Sequence, residues 1–316
     1  MTTMKAVRIH TYGGPEVLTY EDAPLPAIAA DEVLIRVYAA AVNPVDWKIR
    51  EGYLQGFLDY DLPLVLGWDV SGVVEAVGKS VTTFKSGDEV YSRPEIKRNG
   101  AYAEYIAVKA SEVAFKPKTV DHIHAAAIPL AGITAWHCLF EAAQLTTGQR
   151  VLIHAAAGGV GSYAVQFARW KGAYVIGTAS ARNRDFVMEL GANEVIDYQT
   201  TQFEDVMEPV DVVFDTIGGD VQERSWQVVK PGGILVSVVS PPSEEAATAH
   251  QCRSAYVFIQ PRADWLLEMA QLIDAGQVKS IVETVLPLSQ AAEAHQLSQS
   301  GHTRGKIVFQ VKESGN

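Results

Sequence analysis

The sequence predicts an α/β protein of two domains, on three observations. Its 316 residues exceed one small module and suit roughly two domains. As far as Lys118 the chain reads as short strands separated by turns, whereas beyond residue 125 strands alternate with helices. Within that second region a strand runs directly into Val151-Leu-Ile-His-Ala-Ala-Ala-Gly-Gly-Val-Gly161, a glycine-rich turn with a helix behind it.

Composition narrows the class. A hydrophobic fraction of 48% with 20% charged residues is that of an ordinary globular core-former and excludes disorder. The charge sum, 26 − 37 = −11, speaks against a nucleic-acid binder, because no basic concentration drives counterion release. No apolar run reaches the ~18 residues of a transmembrane helix. The N-terminal Met-Thr-Thr-Met-Lys-Ala-Val-Arg lacks the apolar core of a signal peptide, so a cytoplasmic protein is expected. Cys138 and Cys252, the only cysteines, fit a reducing compartment and exclude a four-cysteine zinc site.

The elements follow in order. Lys5–His10, Glu32–Ala41, Val70–Val77, Glu89–Ser92 and Ala103–Val108 read as strands, with Pro and Gly at many junctions. They predict a compact, mostly antiparallel β domain. Turn signals at Val77-Gly78-Lys79 and Lys85-Ser86-Gly87-Asp88 bracket a short excursion of a small barrel. Ala125–Leu145 is Ala-rich and helical in spacing, with Pro129 interrupting its first part. Arg150–His154, Tyr174–Gly177, Val210–Asp215 and Ile234–Val239 are apolar runs suited to buried parallel strands. Gly161–Lys171 and residues 182–190 supply helices between them, the second ended by Gly191 as a C′ glycine. The remainder reads as a helix (Asp264–Ala275), a turn at Gly276, a strand around Ser280–Leu286, another helix, and a last strand, Gly305–Val311. That strand is expected to return to the N-terminal β domain. The expected division is residues 1–124, 125–261 and 262–316, with the first and last segments forming one discontinuous domain.

The glycine turn carries the sharpest chemical signal. Ala156, Gly158 and Gly161 occupy the three positions of G-x-G-x-x-G, with alanine replacing the first. Gly158 lets backbone approach a pyrophosphate, and Gly161 allows close helix–sheet packing. A helix starting at Gly161 offers its free N–H groups and partial positive charge to the phosphates. Strand, turn, helix and second strand are in register for a Rossmann dinucleotide-binding unit. The alternative is a merely structural glycine turn. The end of the second strand selects the cofactor. An NAD enzyme places an acid there for the ribose 2′-hydroxyl, but this chain reads Gly177-Thr178-Ala179-Ser180, followed by Arg182, Asn183 and Arg184. Hydroxyl and guanidinium suit a 2′-phosphate, so NADP is the expected cofactor. The bland reading, two arginines solvating a helix start, sits badly with the helix dipole.

These residues resemble the medium-chain dehydrogenase/reductase superfamily, and within it the zinc-independent quinone oxidoreductase branch that includes alkenal reductases. The resemblance spans essentially the whole chain. It rests on Met4-Lys-Ala-Val, Ala41-Val-Asn-Pro-Val-Asp46, Leu66-Gly-Trp-Asp-Val-Ser-Gly72, Gly87-Asp88-Glu-Val, Ala131-Gly-Ile-Thr134, the glycine turn and Gly301-His-Thr-Arg-Gly-Lys306. It implies a GroES-like β-barrel catalytic domain built from both chain ends, a Rossmann domain between them, and the nicotinamide in a cleft between the two. Zinc-dependent members carry Cys near Val45 and Gly-His-Glu where this chain has Gly67-Trp68-Asp69. A metal-free site is therefore expected, with His122 and His124 as exposed or capping histidines.

The resemblance also implies site residues. Asn43 is the first candidate to donate a hydrogen bond to a substrate carbonyl, its alternative being a turn residue before Pro44. Lys48 and Tyr53 follow in a stretch where relatives carry a tyrosine. Here the matching positions read Lys48 and Leu54, so a solvated Lys48 or a packed Tyr53 competes with a catalytic role. Trp47, Tyr53, Phe57 and Tyr60 form either an aromatic wall or loop anchors. Asp46 and Asp69 read as structural, Asp69 pairing with Arg304. Thr134 resembles a nicotinamide contact, and Tyr198 resembles a residue closing over the 2′-phosphate, against a packed tyrosine. The expected cofactor set is Thr134, Gly158, Gly159, Val160, Thr178, Ser180, Arg184, Tyr198, Ile217, Val238 and Lys306. The expected activity is NADPH-dependent reduction of quinones or α,β-unsaturated carbonyls. An enoyl-thioester reductase and a non-catalytic NADPH-binding redox sensor are the alternatives. The loops at 47–60 and 241–262 decide the substrate. Ala255–Gln260, an apolar run at the end of the Rossmann unit, predicts a homodimer through a sheet edge, against a buried last strand in a monomer.

Overall fold

The computed structural model describes residues 3–312; Met1 and Thr2 of the N-terminal stretch read above lie outside them. The chain opens with β1 (Thr3–Ile9), β2 (Leu18–Pro24) and the long β3 (Glu32–Val42), and Pro44 then starts helix α1 (Pro44–Arg50). Next come β4 (Leu64–Val65), β5 (Val70–Val77), β6 (Glu89–Ser92), β7 (Tyr105–Lys109), β8 (Val113–Phe115) and the short α2 (His122–Ala126). The single interrupted helix expected here is two helices. Pro129 begins α3 (Pro129–Trp136), at a position where its missing N–H has no intrahelical partner to lose. The chain continues through His137–Ala142 in wider turns, with Ala143 N–H reaching Cys138 O at 3.0 Å.

The middle of the chain alternates as expected: β9 (Arg150–Ile153), α4 (Gly159–Trp170), β10 (Tyr174–Ala179), α5 (Arg184–Glu189), β11 (Glu194–Asp197), α6 (Phe203–Val206), β12 (Val210–Asp215), α7 (Gly219–Ser225), β13 (Val229–Ser237), α8 (Glu244–Ala249) and β14 (Arg253–Tyr256). Gly191, with φ +111°, follows the end of α5. The chain closes with α9 (Ala263–Asp274), β15 (Val282–Pro287), α10 (Ala291–Gln299) and β16 (Lys306–Gln310).

Two compact units result. One comprises Met1–Leu130, Gln260–Gly276 and Ser280–Asn316, the other Ala131–Ile259 and Gln277–Lys279. The first unit holds a three-stranded sheet, β2-β1-β4, and a seven-stranded sheet, β15-β16-β3-β5-β6-β8 with β7 also on β3. In the larger sheet β16 runs antiparallel to β3 (Ile307↔Val42) and parallel to β15, which ties the last segment to the first. Ala39 and Ala41 of β3 meet Ala126, Ala127 and Val308 in one buried cluster, so side chains no larger than a methyl let α2 settle close to the strands.

The second unit is a six-stranded sheet in the order β11-β10-β9-β12-β13-β14, all its pairs parallel. Numbered within the unit this is 3-2-1-4-5-6, the doubly wound order whose direction reverses between β9 and β12. Leu152, Ile176, Val213, Leu235 and Trp226 form its core. No helix among the described residues is long and apolar enough to cross a membrane.

Candidate functional site

In the second unit the candidate residues gather at the carboxyl ends of the parallel strands. Helix α4 starts at Gly159, two residues earlier than expected, with Gly158 as its N-cap. Ala156 stands at the first position of the glycine pattern, but its neighbour Ala155 is the residue that takes the left-handed conformation, at φ +47°. Thr178 underpins it: the Thr178 hydroxyl accepts from Ala155 N–H at 3.2 Å, and its carbonyl accepts from Ala156 N–H at 2.9 Å. The two glycines that follow differ in kind. A Cβ on Gly161 would stand 2.2 Å from Ala155 O and 2.8 Å from Ala156 Cα, so packing alone demands glycine. A Cβ on Gly158 would meet only Ala155 O, at 3.3 Å. Packing demands glycine far less at Gly158 than at Gly161. An opening that a Cβ would fill, in front of the N–H groups of a 12-residue helix, fits a bound phosphate.

Neighbouring strand ends carry the other expected contacts. Val160 lies in the first turn of α4, and Gly159 opens it. Ser180 is buried just past β10, and Arg184 is exposed at the start of α5, one Nη holding Val195 O at 2.8 Å. Tyr198, just past β11, is 55% exposed. At the end of β12 the buried Asp215 carboxylate accepts from Ile217 and Gly218 N–H (2.9 and 2.8 Å) and from Ser237 Oγ and Gln222 Nε2 (2.8 and 2.9 Å). That shapes the turn presenting Ile217, and Val238 lies beside it after β13. Thr134 is buried in α3. His154 is buried between the Thr178 and Ser225 hydroxyls, and burial drops its pKa to about 4, so it stays neutral near pH 7.

In the first unit the expected residues meet in a buried polar cluster at one end of the larger sheet. Asn43 follows β3 and caps α1; its N–H donates to Asp46 Oδ2 at 2.8 Å. The Asn43 side chain lies between opposite charges. Its Nδ2 donates to Asp69 Oδ2 at 2.8 Å, and its Oδ1 accepts from the Lys306 ammonium. Lys306 also donates to Val42 O at 2.9 Å and pairs with Asp69 at 3.3 Å. Sequence had suggested Arg304 as the partner of Asp69 and Lys306 as a cofactor contact; the observed ion pair is with Lys306, and Lys306 is buried in this cluster. Asp69 Oδ1 accepts from Leu130 N–H at 2.6 Å. Asp46 accepts from the Tyr102 hydroxyl at 2.6 Å, and burial pushes its pKa up to about 7.

This surround fixes the Asn43 amide without ambiguity: the ammonium needs the oxygen and the carboxylate needs the nitrogen. An amide nitrogen carries two donors. One goes to Asp69, and no hydrogen bond among the described residues takes the other.

The other candidates lie apart from that cluster's hydrogen bonds. The Lys48 ammonium rests 5.7 Å from the Trp47 ring centre, and partial burial lowers its pKa. Tyr53 is 66% exposed, edge-on to Trp47 with ring centres 6.2 Å apart. Tyr60 instead stacks on Trp68 at 6.2 Å and donates to Ile96 O at 2.9 Å, while Phe57 is exposed. Trp47 and Tyr53 thus pair with each other, whereas Tyr60 pairs with Trp68. His122 corrects the expectation of an exposed histidine. It is buried, stacked on Tyr38 at 4.6 Å, and within 2.8 Å of the Ser71 hydroxyl, with its pKa down at about 4. His124 does pair with the helix-capping Asp121, at 2.7 Å.

Known proteins share this architecture. Residues 29–118 match the alcohol dehydrogenase GroES-like domain family, and residues 190–309 the zinc-binding dehydrogenase family. The NADPH-dependent alkenal/one oxidoreductase, chloroplastic, of Arabidopsis thaliana is 37% identical over 319 residues, covering 96% of this chain and 79% of that protein. The structure of the quinone oxidoreductase from Coxiella burnetii superposes with a TM-score of 0.92 at 35% identity, covering 98% of this chain and 100% of that one. That of Escherichia coli quinone oxidoreductase complexed with NADPH gives 0.89 at 28%, covering 97% and 100%. The chain belongs to the medium-chain dehydrogenase/reductase superfamily, in its quinone oxidoreductase and alkenal reductase branch.

Proposed function

We propose that this protein is an NADPH-dependent oxidoreductase that reduces quinones or α,β-unsaturated carbonyls by hydride transfer without zinc. The observation that carries the reading is the Asn43 amide, locked between Asp69 and Lys306 with one N–H left over. Bound NADPH supplies the hydride. The chain's own part is to hold the substrate oxygen as it gains negative charge, and a donor fixed in advance costs no reorganisation at that moment. Asp69 and Lys306 keep the donor aimed. The relatives named for quinone and alkenal reduction support the substrate class.

The donor set speaks against zinc. Zinc takes thiolate, imidazole or carboxylate ligands, whereas the hydrogen-bonded groups here are the Asn43 amide, the Tyr102 hydroxyl, the already engaged carboxyl groups of Asp46 and Asp69, and beside them Trp68, whose Nε1 donates to Arg98 O at 3.1 Å. The Lys306 ammonium is already the cation between Val42 O, Asn43 and Asp69, and would repel a second one.

Ser180, Arg184 and Tyr198 would hold the 2′-phosphate, and Gly158, Gly159 and Val160 the pyrophosphate. NADPH is expected to bind at least tenfold tighter than NADH, about 1.4 kcal/mol. Replacing Ser180 and Arg184 together by Ala should remove most of that gap. Equal dissociation constants for the two cofactors in the unaltered protein would contradict the assignment.

We read the protein as a cytoplasmic homodimer. Its two cysteines are unpaired, which suits a reducing compartment. Among the described residues β14 bonds only to β13, which leaves one edge of the sheet for a second copy, although of the run Ala255–Gln260 only Ala255 and Tyr256 lie in that strand and Val257 and Ile259 are buried. A monomeric mass by light scattering at micromolar concentration would count against the dimer.

The whole reading is tested by steady-state NADPH oxidation with 1,4-benzoquinone, 9,10-phenanthrenequinone, an alkenal and a crotonyl thioester, each with and without EDTA. Turnover of the quinones or the alkenal is expected. Activity confined to the thioester, activity lost with EDTA, or no activity at all would overturn it.

A further inference from the structure

One strong charge in the first unit takes no part in the cluster just described. Register pairs Val70 of β5 with Ser92 of β6, antiparallel, so Asp69 precedes one paired strand end and Arg93 follows the other. Arg93 is 2% exposed, and its Nε and Nη1 are buried with no hydrogen-bond partner among the described residues. A guanidinium does not escape burial by losing its proton. A buried charge without a partner is strongly unfavourable, so such a group is normally met by an anion.

The carboxylates around it do not fill that role. Asp69, Glu95 and Glu112 attract Arg93 from a distance. Asp69, however, is committed to Leu130, Asn43 and Lys306. Glu112 accepts from Glu95 N–H at 3.0 Å, and Glu95 from Lys97 N–H at 3.2 Å. Tyr60, which also acts on the Arg93 charge, is stacked on the fully buried Trp68.

We propose that Arg93 holds a carboxylate on the substrate, so that the preferred substrates are α,β-unsaturated ketones or aldehydes bearing an acid group, such as 4-oxo-2-enoates. The proposal rests on the reductase reading above and deepens it. Asn43 and Arg93 flank Asp69 and divide the work by charge. The neutral Asn43 N–H suits a carbonyl, which gains charge only during reaction. The permanent cation suits a permanent anion.

The test compares an oxo-enoate, its methyl ester and a simple quinone on the same enzyme, then on Arg93→Met and Arg93→Lys. For the unaltered protein kcat/KM should favour the acid over the ester at least tenfold, mostly through KM. In Arg93→Met that ratio should collapse toward one, and Arg93→Lys should keep part of it. A saturated oxo-acid should compete with the enoate, and its methyl ester should not; this arm needs no variant and so does not depend on Arg93→Met folding. If ester and quinone are reduced but the acid shows no advantage, the assignment of Arg93 is overturned alone. If none of the three consumes NADPH, the reductase reading falls and takes this one with it.

Discussion

Asn43→Ala is expected to lower kcat and kcat/KM together, by roughly 10- to 1000-fold for one lost oxyanion donor. Two consequences add up in this variant. The substrate oxygen loses the N–H that Asp69 and Lys306 hold in place, and Lys306 loses one of its three acceptors. NADPH affinity should barely change, because the glycine turn that would hold it belongs to the other unit. Quinones are intrinsically easier to reduce than alkenals, so their loss should be the smaller. A melting curve separates lost chemistry from lost fold. Near-normal turnover on every substrate class would reduce Asn43 to a turn residue before Pro44.

The second large effect is a contrast between two glycines three residues apart. Gly161→Ala drives a methyl into Ala155 O and Ala156 Cα, at 2.2 and 2.8 Å, and backbone has no rotamer with which to yield. Overpacking of this kind costs about 1–3 kcal/mol. The variant should melt lower and bind NADPH poorly, because the turn itself is displaced. Gly158→Ala meets one atom at 3.3 Å and should melt close to the unaltered protein. It should still lose NADPH affinity, because its methyl fills the opening at the head of α4. Calorimetry and cofactor titration read the two effects apart. Unchanged NADPH binding in Gly158→Ala would remove the phosphate role from this turn.

Most of the architecture was legible because it is written locally. The buried runs at 150–154, 174–177 and 210–215 alternate with helices, and that pattern fixes a parallel sheet without knowledge of any contact. Strands whose signal is weak escaped. Leu18–Pro24 is half polar, as an edge strand tolerates, and β13 begins at Val229, before the Pro231-Gly-Gly turn signal that made Ile234 look like its start. Helix α4 was read two residues late because its first turn contains the glycines that signalled it.

The site was legible in residue type more than in partnership. Asn43 was named from its motif, yet Asp69 and Lys306 lie 26 and 263 residues away, and nothing local pairs them. His122 looked exposed next to a polar turn, but Tyr38, from a distant strand, covers it. Arg93 gave no signal, since its meaning lies in the partners it lacks. Ala155 was passed over because alanine seldom takes a positive φ, and Thr178, across the sheet, holds it there.

Hydride is expected to pass directly from NADPH to the substrate. This transfer is tested most directly by turning over an enone in ordinary water with NADPH deuterated at the transferring C4 position. One deuterium is expected at the β-carbon of the product and a solvent proton at the α-carbon. Deuterium missing from the β-carbon, or an enone that stays unreduced while the cofactor is intact, would contradict it.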